Sequence, residues 1–182
     1  MGERRESTVA TAEQLAASLQ ELVGKRCWGV VAGEGTGSVV SLKFGGQTRR
    51  KKPLPNPSLS PAVREYEAEY SMLVQCVWRL DAPDRIVCGA WDSNEAGGAM
   101  LTGLGEIVNH DVRLVTIAAP SADLEMVFDN GLKLKVFCDR INVDEAEDNY
   151  CFYTPAAVFT VGTRSALSVR YDEPRTLGGA EE

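Results

Sequence analysis

The chain has a single histidine, His110, and that scarcity bears on several kinds of chemistry at once. A zinc site needs clustered Cys and His ligands. None of the five cysteines (Cys27, Cys76, Cys88, Cys138 and Cys151) stands in a Cys-x-x-Cys pair. A catalytic base needs its orienting carboxylate and a nucleophile on the same side. The carboxylate next to His110 is Asp111, and neighbours on a strand face opposite ways. Gly-x-Ser-x-Gly, the Walker loop and His-Glu-x-x-His are all missing. Cys88 or Cys151 would serve as a nucleophile only beside a base in an electropositive setting, and the sequence displays neither. No catalytic residue, metal ligand or cofactor is therefore expected. A run of eighteen apolar residues, which a membrane span requires, is also missing. So is an apolar segment near Met1 of the kind that marks a secretory signal. The cysteines sit mostly in apolar runs and read as reduced core thiols of a cytoplasmic protein.

Positive charge is in the minority too. The formal net charge is −7, which opposes nucleic acid as a partner, since phosphates are neutralised by Lys and Arg, and suits a basic protein. The mix of 44% hydrophobic and 25% charged residues is that of a globular domain.

The strongest pattern lies at residues 122–140. Leu124, Met126 and Phe128 alternate on one side of Asp129-Asn130-Gly131, and Leu132, Leu134, Val136 and Cys138 on the other. Period-two alternation around Asn-Gly predicts a β-hairpin with a primed turn, its alternating residues facing the core. A second alternating run, residues 70–80, places Tyr70, Met72, Val74, Cys76, Trp78 and Leu80 on one face of a central strand, with residues 85–91 returning beside it. Further strands are expected over 26–32, 38–44, 112–118, 150–153, 157–161 and 166–171. Thr11-Ala12-Glu13-Gln14 has capping-box form, and Leu15, Leu19, Leu22 and Val23 make one stripe, so a helix is expected over 12–23.

The glycines of residues 33–38 are followed by a strand rather than the helix that a phosphate-binding loop requires, so they read as a hairpin loop. Residues 45–61 carry Arg49, Arg50, Lys51 and Lys52 followed by Pro53, Pro55, Pro57 and Pro61. Prolines at this density predict an exposed, partly extended loop, able to touch a phosphate or an acidic partner. Asp144, Glu145, Glu147 and Asp148 form an acidic loop whose spacing misses the calcium-binding pattern. Residues 1–10 and 172–182 read as loose tails.

The halves 11–96 and 97–171 read alike. Each has a Leu-x-Gly entry, a strand, an alternating strand ending in Phe44 or Phe128, a Gly turn, and an alternating strand through Cys76 or Cys138. The predicted fold is one α+β domain, mainly antiparallel sheet, with one amphipathic helix at its start and two similar β-rich halves. In the second half, the Leu-x-Gly entry, the strand to Phe128, Asn130-Gly131 and residues 132–137 resemble small bacterial domains of unknown function, some of which are similar to immunity proteins encoded beside polymorphic toxins. The resemblance implies a non-catalytic protein-binding module that blocks a basic toxin. Its contact surface is expected at Asp144, Glu145, Glu147 and Asp148, or at Arg49, Arg50, Lys51 and Lys52. The alternatives are a small-ligand protein or enzyme with its pocket between the halves, and a structural subunit, with a second copy of the chain as an allowed partner.

Overall fold

A computed structural model describes residues 7–142 and 147–172. In chain order the elements are β1 (Thr8–Val9), α1 (Ala12–Leu19), β2 (Arg26–Val31), β3 (Val40–Arg49), α2 (Pro61–Glu65), β4 (Tyr66–Val74), β5 (Val77–Asp81), β6 (Ile86–Gly89), α3 (Ala99–Gly105), β7 (His110–Ala118), β8 (Asp123–Phe128), β9 (Lys133–Phe137), β10 (Tyr150–Tyr153), β11 (Ala157–Val161) and β12 (Leu167–Tyr171). All strand pairs are antiparallel, in the order β1-β12-β11-β10-β4-β3-β2-β7-β8-β9-β5-β6. The middle joint is narrow: β2 meets β7 only through Arg26 with Asp111 and Cys27 with His110. It divides the sheet into two wings, which share one apolar cluster.

The chain crosses between wings twice. After β2-β3-β4 it crosses to lay β5-β6 beside β9; after β7-β8-β9 it returns to lay β10-β11 beside β4. The expected single strand over 70–80 is therefore two strands in different wings. The six residues expected on its inner face are all buried, so the periodicity was read correctly and the continuity was not. The break has a hydrogen-bonding cause. The N–H groups of Gln75 and Cys76 both donate to the Asn149 carbonyl, at 2.9 and 3.1 Å, and leave the ladder.

The hairpin of β8 and β9 forms as expected, with Leu124, Met126, Phe128, Leu132, Leu134 and Val136 all buried. Its turn is not of the primed kind. Only Gly131 has positive φ, +85°, and its N–H donates to the Phe128 carbonyl. Asn130 instead uses its side chain, donating to the Glu106 carbonyl at 2.8 Å and accepting from the Leu132 N–H.

Three helices are described rather than one. The first begins at the expected capping box: Thr11 Oγ1 accepts from the Gln14 N–H at 3.2 Å and Gln14 Oε1 accepts from the Thr11 N–H at 2.9 Å. It is shorter than expected, ending at Leu19 and tightening into a 3₁₀ turn over Gln20–Leu22. Leu15, Leu19 and Leu22 are buried, while Val23 is exposed. The start of the described chain is also more ordered than expected, since Thr8 and Val9 pair with Val169 and Ser168 and Ala10 is buried. Tail residues 1–6 and 173–182 lie outside the described residues.

The proline-rich stretch departs furthest from the sequence reading. Gln47, Thr48 and Arg49 continue β3 beyond a bulge, paired with Ala68, Glu67 and Tyr66. Pro61 opens a short helix at a position where a missing N–H costs nothing, with Ser60 as its cap. The remaining loop folds back onto the end of α2: Arg50 N–H donates to the Glu65 carbonyl and Leu54 N–H to the Arg64 carbonyl.

Candidate functional site

The free edge at β6 carries the least covered apolar side chains of the second wing. β6 ends the sheet order. Ile86, at its first residue, is 62% exposed, and Trp91, in the turn after it, is 86% exposed. A Trp that keeps this much area in water is a strong anchor for a protein partner, because burying it removes a large apolar surface and aromatic residues dominate interface energetics.

His110 has a carboxylate partner that its neighbours in sequence do not reveal. Its Nδ1 lies 2.7 Å from Asp129 Oδ1, in the hairpin turn. Asp111 instead accepts from Arg26 Nε at 2.9 Å. The hydrogen bond from His110 holds the Asp129 carboxyl below its ordinary range. Cys27, paired with His110 across the wing joint, is fully buried, and burial pushes its thiol up to about 12. A thiol so disfavoured as thiolate is a poor nucleophile at neutral pH. Cys88 is pushed up to about 12 by the same cause.

The acidic loop is half outside the described residues, which omit Asp144 and Glu145. Of the remainder, Glu147 pairs with Arg140 Nη2 at 3.0 Å and Asp148 accepts a weak bond from the Cys151 thiol at 3.8 Å. The basic run is not one surface. Arg49 belongs to β3, Arg50 is partly buried and pairs with Glu67 at 3.0 Å, and Lys51 and Lys52 stand exposed.

The pairing of β2 with β3 holds a feature that the sequence does not display. Trp28 is the extra residue of a bulge between the pairs Cys27 with Phe44 and Gly29 with Lys43. It is 92% buried by its 8% exposure, yet stands outside the apolar core cluster, as does Val63 of α2. The Val63 methyl would lie 3.1 Å from a Cβ on Gly29, and the Lys43 stem 3.5 Å, so α2 roofs the outer face here and a glycine admits it. Only the alternation of Val40, Leu42 and Phe44 hinted that Lys43 faces outward.

Two depressions of about 370 Å³ each lie on the second wing, one lined by Thr116, Glu125, Lys135 and Phe137, the other by Asp81, Pro83, Arg85 and Lys133. Neither contains His110, and neither sits between the wings. Lys135, which lines both, is held by Asp81 at 3.2 Å and lies 3.9 Å from Glu125. Among the described residues no group of three His, Cys, Asp or Glu could hold a metal ion, and no helix is long and apolar enough to cross a membrane.

Comparison with known proteins returns no match to a family model, to a curated protein or to a solved structure.

Proposed function

We propose that this chain is a non-catalytic protein-binding module of the immunity type, which neutralises a basic toxin by covering its site. The observation that carries the reading is Trp91, 86% exposed beside the free β6 edge that also presents Ile86. The aromatic ring supplies the anchor, and the net charge of −7 supplies long-range attraction to a basic partner. The acidic loop contributes to the field rather than to the anchor, since Glu147 already holds Arg140.

The architecture behind this surface is, on our reading, two copies of one unit that exchange their last hairpins. Its support is the order of elements: a helix and three strands, then a hairpin delivered to the opposite wing, in each half of the chain. The exchange leaves β6 at the outer end of the second wing.

The test is co-purification from the native host, read by mass spectrometry, with the wild type beside Trp91→Ala and Ile86→Asp. A partner whose affinity falls at least ten-fold in the Trp91 variant, and falls with added salt, supports the proposal. A partner held equally by the wild type and both variants overturns the β6 edge as the contact. Persistence of the partner's toxic activity in the saturated complex overturns the immunity reading.

A further inference from the structure

The roofed outer face of β2, β3 and β4 gathers hydrogen-bond donors with too few acceptors. Lys43 Nζ reaches the Ser71 hydroxyl at 3.4 Å, and among the described residues no carboxylate stands in ion-pair range of it. Burial pushes the Lys43 ammonium down from its ordinary value, and the Arg50 guanidinium nearby pushes it the same way. Arg50 gives Nη1 to Glu67, while its Nε is buried with no partner among the described residues. Trp28 Nε1 is likewise buried with no partner among those residues. Burying a donor without an acceptor costs roughly 1–3 kcal/mol, and more for a charged group, so Lys43, Arg50 and Trp28, whose neighbour Gly29 pairs with Lys43, each call for an acceptor.

We propose that this face is a binding site for a small dianionic oxyanion, the phosphate group of a small molecule, held by Lys43, Arg50, the Ser71 hydroxyl and Trp28 Nε1. The chemistry matches each group. A phosphate offers three acceptor oxygens and up to two negative charges. The ammonium binds it as a point charge and the guanidinium as a planar donor. The Ser71 hydroxyl turns to donate once an oxygen arrives. Lys51 and Lys52, exposed on the roof loop, raise the local concentration of anions without touching the ligand. Gly29 lets α2 close over this face, since a side chain there would meet Val63 and the Lys43 stem. The site is independent of Trp91 and survives or fails apart from the protein-binding proposal.

The chain has three tryptophans, so its indole N–H groups give at most three resonances in a nitrogen–proton correlation spectrum. Titration of the intact protein with inorganic phosphate at pH 7.5 and constant ionic strength is expected to shift the Trp28 indole resonance saturably. Lys43→Ala and Arg50→Ala each weaken that binding at least ten-fold, with the remaining amide spectrum showing that the fold persists. The double variant Lys51→Ala/Lys52→Ala weakens it no more than about three-fold by loss of the general field. Sulfate binds comparably and acetate at least ten-fold more weakly. A Trp28 resonance that does not move overturns the proposal. So does phosphate affinity unchanged in Lys43→Ala, or lost in the Lys51/Lys52 variant alone. Acetate binding as tight as phosphate overturns the assignment to a dianion. Should Lys43→Ala not fold, Lys43→Gln and Ser71→Ala carry the same prediction.

Discussion

Cys76 and Cys138 stand opposite one another where the chain makes both of its crossings between the wings. Val77 pairs with Phe137, so each cysteine is the next residue beyond the end of the β5–β9 ladder. Contact with Cys76, together with burial, pushes the Cys138 thiol far up from its ordinary value. The thiolate is the reactive form of cysteine, and here it is suppressed. We expect iodoacetamide at pH 8 to label the folded protein far more slowly than the urea-unfolded protein. No single site should label quickly, because four thiols are buried and the half-buried Cys138 carries the suppressed thiolate. Mass spectrometry of the adducts checks this, and fast labelling of Cys27 or Cys88 in the folded state would contradict it.

Asn149 ties the same crossings together. It is fully buried. Its Oδ1 accepts from the Arg140 N–H at 3.0 Å and its Nδ2 donates to the Gly162 carbonyl at 2.7 Å. Its own carbonyl takes the Gln75 and Cys76 N–H groups. Asn149→Ala strands one donor and one acceptor, and should cost about 2–4 kcal/mol in urea unfolding. A loss under about 0.5 kcal/mol would show that water replaces both bonds.

Two glycines of one helix should respond oppositely to the same substitution. A Cβ on Gly103 would meet Cys88 Sγ at 2.5 Å and Cys88 Cβ at 2.8 Å, because α3 packs on β6 through that face. Gly105, exposed at the end of the helix, has nothing within 4 Å. Gly103→Ala is expected to destabilise by roughly 1–3 kcal/mol through overpacking. Gly105→Ala is expected to be neutral or to stabilise by up to about 1 kcal/mol through helix propensity. Thermal unfolding of the pair distinguishes the packing effect from the general one.

Asp81 supplies a pH signature. Its hydrogen bond from Arg79, backed by Lys135, holds its carboxyl below the ordinary value despite its burial. A carboxyl depressed in the folded state adds stability above its unfolded pKa of about 3.9 and loses it as pH falls through the folded value. The wild type should therefore exceed Asp81→Asn in stability at pH 7. The gap should close below about pH 4 and stay unchanged between pH 7 and 9. Paired urea titrations across that range are the check, and a gap that persists at pH 2 would show that the carboxylate charge is not its source.

What local sequence carries, it carries through period and cap chemistry. The inner faces of β3, β8 and β9, the capping box at Thr11 and the hairpin loop at residues 33–38 were all legible, because each depends on residues a few positions apart. The antiparallel sheet with helices beside it followed from the same signals. Asn149 carries no local signal, since its partners Gln75, Cys76, Arg140 and Gly162 are spread along the chain and only folding collects them. The alternation from Tyr70 to Leu80 is unbroken, so nothing in it marks the point where the chain leaves one wing for the other. Pairing sets that point, through an acceptor supplied from residue 149.

The candidate sites divide the same way. Trp91 is visible in the sequence as an aromatic residue, but its exposure depends on β6 lying at the sheet's end. The partner of His110 is Asp129 rather than the adjacent Asp111, because a turn brings together residues that a strand would separate. Composition and periodicity determined the kind of object this is: an acidic, mainly antiparallel α+β chain with apolar residues on alternate positions. Tertiary structure alone decided which charges meet, because electrostatic and hydrogen-bond energies depend on distances in space. It buried Trp28 Nε1 and Arg50 Nε without a partner among the described residues and left Trp91 bare.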